Sequence, residues 1–135
     1  RDVVLVMAGL AAVLGHVFPV YLRFKGGKGA ATGLGVMVML LPLPTLVALV
    51  VFLVVAVIWR FVSLASMAGV LALLAAVIVK KYLLVHSVAD IYFIMTLALA
   101  LLMIVTHRQN IARLLHGAEH RFTFSSRSGE AGTHG

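Results

Sequence analysis

The segment TGLGVMVMLLPLPTLVALVVFLVVAVI, residues 32–58, is uncharged throughout, and it is long enough to cross a membrane, which takes about 20 helical residues. Pro42 and Pro44 interrupt it near its middle. A proline in a helix interior costs about 3 kcal/mol, because it removes a hydrogen bond and clashes with the preceding turn. We therefore predict two short helices, 30–41 and 45–58, joined by a turn. Because both are short for about 30 Å of hydrocarbon, a thinned bilayer and a re-entrant hairpin are both compatible with this pattern.

The composition of the whole chain indicates an integral membrane protein. Of its 135 residues, 63% are hydrophobic and 11% are charged, whereas soluble domains carry about 25% charged residues. There is no cysteine, which excludes disulfides and thiolate chemistry. The net charge of +7 comes from basic residues that fringe the apolar segments. We therefore expect membrane lipids and anionic small molecules as partners, and no nucleic acid.

Apolar segments on both sides of this stretch predict further helices over 3–22, 63–79 and 90–106. The predicted fold class is all-α, a polytopic helical membrane protein with about five membrane helices in these residues. Splitting the helix at the prolines places eight Lys and Arg residues on one side of the membrane and three on the other, whereas an unbroken helix divides them six to five. The positive-inside rule favours the split and puts the eight in the cytoplasm.

Polar residues mark the ends of the later helices. Ser63 is a good N-cap for the helix over 63–79, and Asp90 is a plausible cap for the helix over 90–106. His86 should lie in the solvated loop between these two helices.

The sequence changes character after Thr106. Ile111, Leu114 and Leu115 follow i, i+3, i+4 spacing among polar residues, which predicts an amphipathic helix lying on the membrane surface. From residue 123 the chain is rich in Ser, Gly and Thr, so we expect residues 123–135 to be a disordered cytoplasmic tail.

A glycine-rich basic segment lies before the proline-split helices. Its glycines let the backbone come close to a bound group, and its charges attract anions; these residues are Gly26, Gly27, Gly29 and Gly33 with Arg23, Lys25 and Lys28. The phosphate loop of ATPases is excluded, because Gly29 follows Lys28 and Leu22 stands where that motif requires its first glycine. The segment is either a phosphate or carboxylate site or a basic turn that binds anionic headgroups.

His107 and Asn110 lie three residues apart and share a face of a continuing helix, on the same predicted side as the basic segment. They are either site residues or part of an interfacial anchor. His116, His120 and Glu119 have helical metal-ligand spacing, but a third firm ligand is absent, so we predict no metal.

Three segments together resemble the signatures of the PlsY family, the acyl-phosphate-dependent glycerol-3-phosphate acyltransferases of bacteria. They are Gly15-His16-x-x-Pro19-x-x-x-x-Phe24-Lys25-Gly26-Gly27-Lys28-Gly29-x-Ala31-Thr32, Arg60-Phe61-Val62-Ser63-Leu64-x-Ser66, and His107-x-x-Asn110-Ile111-x-Arg113-Leu114-Leu115-x-Gly117-x-Glu119. The resemblance implies an enzyme without a cofactor that transfers a fatty acyl group from acyl phosphate to the 1-hydroxyl of glycerol 3-phosphate. The products are lysophosphatidic acid and phosphate.

The resemblance also implies roles for individual residues. The implied catalytic residues are Lys28, Ser63, Ser66, His107, Asn110 and His16, and the implied substrate-binding residues are Lys25, Gly26, Gly27, Gly29, Thr32, Arg60, Arg108, Arg113 and Glu119. His16 could act as a general base, but the departing phosphate can itself accept the hydroxyl proton.

PlsY-type enzymes carry an earlier Ser/Gly/Asn-rich signature, and this chain starts after it. We therefore expect a fragment, with the acyltransferase domain over 1–122 and about seven membrane helices in the full-length protein. The resemblance implies a bacterial inner-membrane enzyme with a cytoplasmic active site, which could also contact the enzyme that supplies acyl phosphate. A small transporter subunit and a structural membrane adaptor are the alternatives. A transporter should carry ionisable residues inside its spans, and residues 33–58 and 64–79 carry none.

Overall fold

The computed structural model describes residues 1–18, 30–84 and 88–121, and it is all-helical in these ranges. Its helices are α1 (Asp2–Val17), α2 (Ala30–Leu40), α3 (Pro42–Trp59), α4 (Val62–Val79), α5 (Asp90–Thr106) and α6 (Arg108–Leu115). A π-helical turn, Lys80–Leu84, continues α4. The predicted all-α class is confirmed.

The two prolines divide the central apolar segment, as predicted, but they do not form the turn between the helices. Pro42 is the first residue of α3, Pro44 lies in its first turn, and Leu41 occupies the N-cap position with non-helical backbone, φ −138° and ψ 70°. The first four N–H groups of a helix have no partner inside it, so proline costs little there. The Thr45 hydroxyl donates to the Leu41 carbonyl at 2.7 Å and closes this turn. The predicted bounds, 30–41 and 45–58, were therefore wrong by up to three residues.

The first helix is shorter than the predicted range of 3–22. It ends at Val17, and Phe18 leaves the helical conformation with φ −122° and ψ 62°. Phe18 precedes Pro19, whose ring disfavours helical backbone in the residue before it. The helix therefore ends before the proline rather than passing through it.

Helix α5 packs against α1, α2, α4 and α6, and α4 packs against α3, α5 and α6. Its approach to α3 is close at Gly69, where a Cβ atom would lie 3.3 Å from the Ala48 carbonyl oxygen. The buried core joins α1 to α5 and includes Val6, Val13, Met37, Ala48, Leu73, Val77, Met95 and Leu99.

Five of these helices are apolar, but their lengths differ. Helix α3, and α4 with its π-helical turn, are long and apolar enough to cross a membrane. Helices α5 and α6 together would make a third span, although a bend of 57° separates them. Helices α1 and α2 are shorter. By length, the described residues thus support two or three full spans. The expected count of about five membrane helices is therefore less well supported than the all-α fold class.

An ion pair joins the far end of α4 to the start of α5. The Lys81 ammonium pairs with the Asp90 carboxylate and also donates to the Val88 carbonyl at 3.2 Å. Asp90 is the first residue of α5 and Ala89 its N-cap, so the prediction that Asp90 caps this helix was wrong. His86 lies outside the described residues.

Candidate active site

A polar cavity of about 460 Å³ lies where the start of α4, the junction of α5 with α6, and the chain after α6 come together. Its lining residues are Ala30, Val62, Ser63, Ser66, His107, Asn110, Glu119, His120 and Arg121. Four of the residues predicted to be catalytic, from two separate segments of the chain, therefore line one cavity: Ser63, Ser66, His107 and Asn110.

His107 lies at the break between α5 and α6 rather than on a continuing helix. Its φ of −98° and ψ of 7° end α5 and start α6. Both His107 and Asn110 are nonetheless buried, with 2% and 6% of their surface exposed, and both line the cavity. The prediction that His107 and Asn110 lie on the same side was therefore right, although the helix is bent between α5 and α6.

The hydrogen bond that His107 makes assigns its tautomer. Nδ1 lies 2.9 Å from the Met103 carbonyl oxygen. A carbonyl can only accept, so Nδ1 carries the proton, and in the neutral ring the lone pair is on Nε2.

Glu119 connects the elements around the cavity. Its carboxylate accepts hydrogen bonds from Ser63 Oγ at 3.0 Å and Asn110 Nδ2 at 2.8 Å, and pairs with Arg113 Nε at 2.8 Å. Burial acts to raise the pKa of this carboxyl, but the three hydrogen bonds and the Arg113 charge outweigh it and lower the pKa to about 2. The side chain is thus ionised at neutral pH and fully engaged with protein groups.

These contacts contradict one expectation. Ser63 is not the N-cap of α4, because Phe61 holds that position and the Ser63 hydroxyl bonds to Glu119. The substrate-binding roles implied for Glu119 and Arg113 stay predictions. In the structure the Glu119 carboxylate contacts Ser63, Asn110 and Arg113, and a carboxylate by itself would repel phosphate.

Five further predicted residues differ in whether they line this cavity. Ser66 donates to the Val62 carbonyl at 2.9 Å and lines the cavity. Arg108 is exposed and donates to the Val105 carbonyl at 3.0 Å. His16 is exposed in the last turn of α1, and Thr32 lies in the first turn of α2. Arg60 follows α3 and has a left-handed backbone conformation. Of these five predicted residues, Ser66 lines the cavity, and His16, Thr32, Arg60 and Arg108 do not.

The predicted anion-binding glycines and lysines, Lys25, Gly26, Gly27, Lys28 and Gly29, lie outside the described residues. Ala30 is the first residue described after them, and it lines the polar cavity.

An apolar cavity of about 350 Å³ adjoins the polar one. Its lining residues come from α1 to α5 and include Val13, Met37, Phe52, Gly69, Leu73 and Leu99. Ala30, Val62 and Ser66 line both cavities. An amphipathic molecule could therefore place a polar group among Ser63, His107 and Asn110 while its alkyl chain extends between the helices.

Two polar residues of the cavity, His120 and Arg121, were not predicted to bind substrate or to act in catalysis. The available signal was Gly117, which adopts φ 68° just after α6. The Ala118 N–H bonds to the Arg113 carbonyl at 2.7 Å and the Gly117 N–H to the Leu114 carbonyl at 3.2 Å, which is the glycine-terminated Schellman motif. This turn ends the helix and returns the chain toward α4. In the part of the chain that the structure describes, no three His, Cys, Asp or Glu side chains form a group that could hold a metal.

Comparison with known proteins finds one consistent set of relatives. A family model described as glycerol-3-phosphate acyltransferase matches residues 2–117. The glycerol-3-phosphate acyltransferase of Geotalea daltonii is 47% identical over 116 residues, covering 84% of this chain and 56% of that protein. That of Staphylococcus aureus is 37% identical over 114 residues, covering 84% and 52%.

Two solved structures are also similar. Both are crystal structures of PlsY (YgiH), described as an integral membrane glycerol 3-phosphate acyltransferase. The glycerol 3-phosphate form has a TM-score of 0.79, and the lysophosphatidic acid form has 0.78. Each is 40% identical and is matched over 87% of this chain. The chain spans a little over half the length of these relatives.

Proposed function

Because this chain belongs to the glycerol-3-phosphate acyltransferase family of integral membrane proteins, we propose that it forms part of an enzyme that acylates glycerol 3-phosphate. The proposed donor is a long-chain acyl phosphate, and the products are lysophosphatidic acid and inorganic phosphate. The observation that carries this proposal is the junction of the two cavities at Ala30, Val62 and Ser66. Such a junction fits a donor that has an alkyl chain on one side of its reactive carbonyl and a phosphate on the other.

The two cavities divide the donor between them. The alkyl chain would lie in the apolar cavity, where burying each CH₂ group contributes about 0.8 kcal/mol. The acyl phosphate group would then lie at the junction, beside the Ser63 hydroxyl. Lys28 and the amides of Gly26, Gly27 and Gly29 are proposed to offset charge on this phosphate and on the carbonyl oxygen, since their segment leads into Ala30.

The acceptor would enter the polar cavity. Its 1-hydroxyl attacks the donor carbonyl carbon, an ester bond forms, and the bond from that carbon to the phosphate oxygen breaks. The hydroxyl proton leaves with the phosphate, either directly or by way of the lone pair on His107 Nε2. Asn110, whose amide is held by Glu119, would orient the acceptor. An acyl phosphate is already activated, so positioning accounts for most of the proposed catalysis.

An assay of the purified full gene product in detergent tests this function. We expect lysophosphatidic acid from palmitoyl phosphate and glycerol 3-phosphate, and no product when palmitoyl-CoA replaces the acyl phosphate. Asn110→Ala should lower turnover at least 100-fold, because the acceptor loses its positioning group, and Lys28→Ala should do the same through the phosphate. Gln109→Ala is the matched control, since Gln109 is exposed on the same helix.

Other results would contradict the proposal. Turnover from palmitoyl-CoA but not from palmitoyl phosphate would show that the proposed donor is wrong and that the acyltransferase activity is right. If the folded protein makes no product from either donor, the acyltransferase proposal is wrong. The alternatives are then a small transporter subunit and a structural membrane adaptor. Inner-membrane location and a cytoplasmic site are part of the same proposal, and they are tested by the access of an impermeant lysine reagent to Lys25 and Lys28 in sealed vesicles.

A further inference from the structure

The roles proposed above assign no positively charged residue to the phosphate of glycerol 3-phosphate. If the proposed function holds, the cavity receives anionic substrates, and the Glu119 carboxylate adds another negative charge. Arg113 pairs with that carboxylate, and Arg113 does not line the cavity. Among the described lining residues, Arg121 is the one that is cationic at every physiological pH.

The fold holds Arg121 at the cavity by contacts on both sides. Two residues before it, Glu119 is fixed by its bonds to Ser63, Asn110 and Arg113. The Arg121 guanidinium itself lies 5.3 Å above the centre of the Phe61 ring. Phe61 occupies the N-cap position of α4, two residues before Ser63. The Arg121 charge is therefore placed beside the part of α4 that contributes Ser63.

The contact between Arg121 and Phe61 is a cation–π interaction, in which the ring attracts the charge of the guanidinium. The five N–H donors of a guanidinium lie in one plane and match two oxygens of a phosphate. The Phe61 ring thus holds the Arg121 charge at the cavity, where a phosphate would meet those donors.

The position of Arg121 distinguishes between the two substrates. The donor phosphate is fixed near the junction of the cavities by the alkyl chain that it carries. Arg121 lines the polar cavity and not the apolar one, and its side chain is on the exposed rim. We propose that Arg121, stacked on Phe61, binds the phosphate of the acceptor, glycerol 3-phosphate, and thereby selects it over uncharged glycerol.

Steady-state kinetics of the full gene product tests this inference. Arg121→Ala should raise KM for glycerol 3-phosphate about tenfold or more, as expected for a lost charge-assisted hydrogen bond, and should leave KM for palmitoyl phosphate within about twofold. Arg121→Lys should recover part of the loss, and Phe61→Leu should give an intermediate KM. The preference for glycerol 3-phosphate over glycerol should fall in Arg121→Ala. Lys80→Ala, which removes the same charge at the far end of α4, is the control and should change none of these values.

Calorimetric binding of glycerol 3-phosphate separates this inference from the proposed function. If the unmodified protein binds glycerol 3-phosphate without turnover and Arg121→Ala abolishes the binding, the Arg121 site stands and the acyltransferase function fails. If turnover is normal but Arg121→Ala leaves KM for glycerol 3-phosphate unchanged, or raises both KM values equally, the inference is wrong and the function stands. A protein that neither binds nor turns over glycerol 3-phosphate overturns both.

Discussion

At the scale of single residues, the site depends on one carboxylate, Glu119, whose negative charge by itself would repel phosphate. Glu119 holds Ser63 of α4 and Asn110 of α6 at hydrogen-bonding distance, and Arg113 neutralises it. An unpaired, partly buried carboxylate would be costly, and it would repel both of the proposed anionic substrates. The Arg113 pair removes both problems, so the carboxylate can fix two neutral polar groups beside the cavity.

Glu119 gives the protein a stability that depends on pH. The pKa of its carboxyl is lowered to about 2 from an ordinary value of 4.5. A lowered pKa stabilises the folded state fully above the ordinary value, and this stability is lost as the pH falls toward the lowered one. We expect the thermal midpoint of the protein in detergent to fall between about pH 5 and pH 3, and we expect Glu119→Gln to remove much of that fall. An equal fall in the variant would contradict this role.

The same substitution should also lower turnover. Glu119→Gln removes the ion pair with Arg113 and loosens Ser63 and Asn110, so we expect a loss of about tenfold in kcat, with smaller changes in KM. Asp90→Asn is the control, because it breaks an ion pair at the opposite end of α4. Unchanged kcat in Glu119→Gln would show that these contacts do not position the reacting groups.

At the scale of helices, the break between α5 and α6 and the proline-led start of α3 shape the two cavities. The bend of 57° at His107 turns α6 so that Asn110 lies beside α4. Because α3 begins directly at Pro42, α2 and α3 form a close pair whose side chains line the apolar cavity. These two breaks therefore contribute to the placement of the helices that line the two cavities.

Narrowing the apolar cavity from α2 should change the chain length that the enzyme accepts. Leu34 lines this cavity of about 350 Å³, so a larger side chain at this position would take up part of its volume. We expect Leu34→Trp to lower kcat/KM for palmitoyl phosphate about tenfold and to leave a shorter donor, octanoyl phosphate, within about twofold, because only the longer chain competes with the indole for space.

Val38→Trp provides the comparison, since Val38 lies one turn further along α2 and outside the cavity lining. It should affect neither donor. An equal loss for both donors in Leu34→Trp would mean that the alkyl chain does not occupy this cavity.

At the scale of the whole molecule, the sequence predicted the helices better than the contacts between them. Apolar length and the two prolines were enough to predict the all-α fold, the split at Pro42 and the bounds of α5. The motifs also identified Ser63, His107 and Asn110, which share one cavity. The N-cap role of Ser63 was wrong because its hydrogen bond goes to Glu119, 56 residues away, and local spacing carries no information about such a contact. Arg121 was missed for the same reason, since its place depends on the turn at Gly117 and on Phe61.

Photolabelling tests most directly the central claim that one amphipathic donor spans both cavities. The probe is a non-hydrolysable acyl phosphonate with a diazirine at the end of a sixteen-carbon chain, bound to the full gene product in detergent and mapped by mass spectrometry. The account predicts labelling on the apolar lining, at residues such as Met37 or Leu73, and competition by palmitoyl phosphate. Labelling confined to the exposed side chains of α3, such as Leu53 and Val57, or labelling that palmitoyl phosphate does not compete, would contradict it.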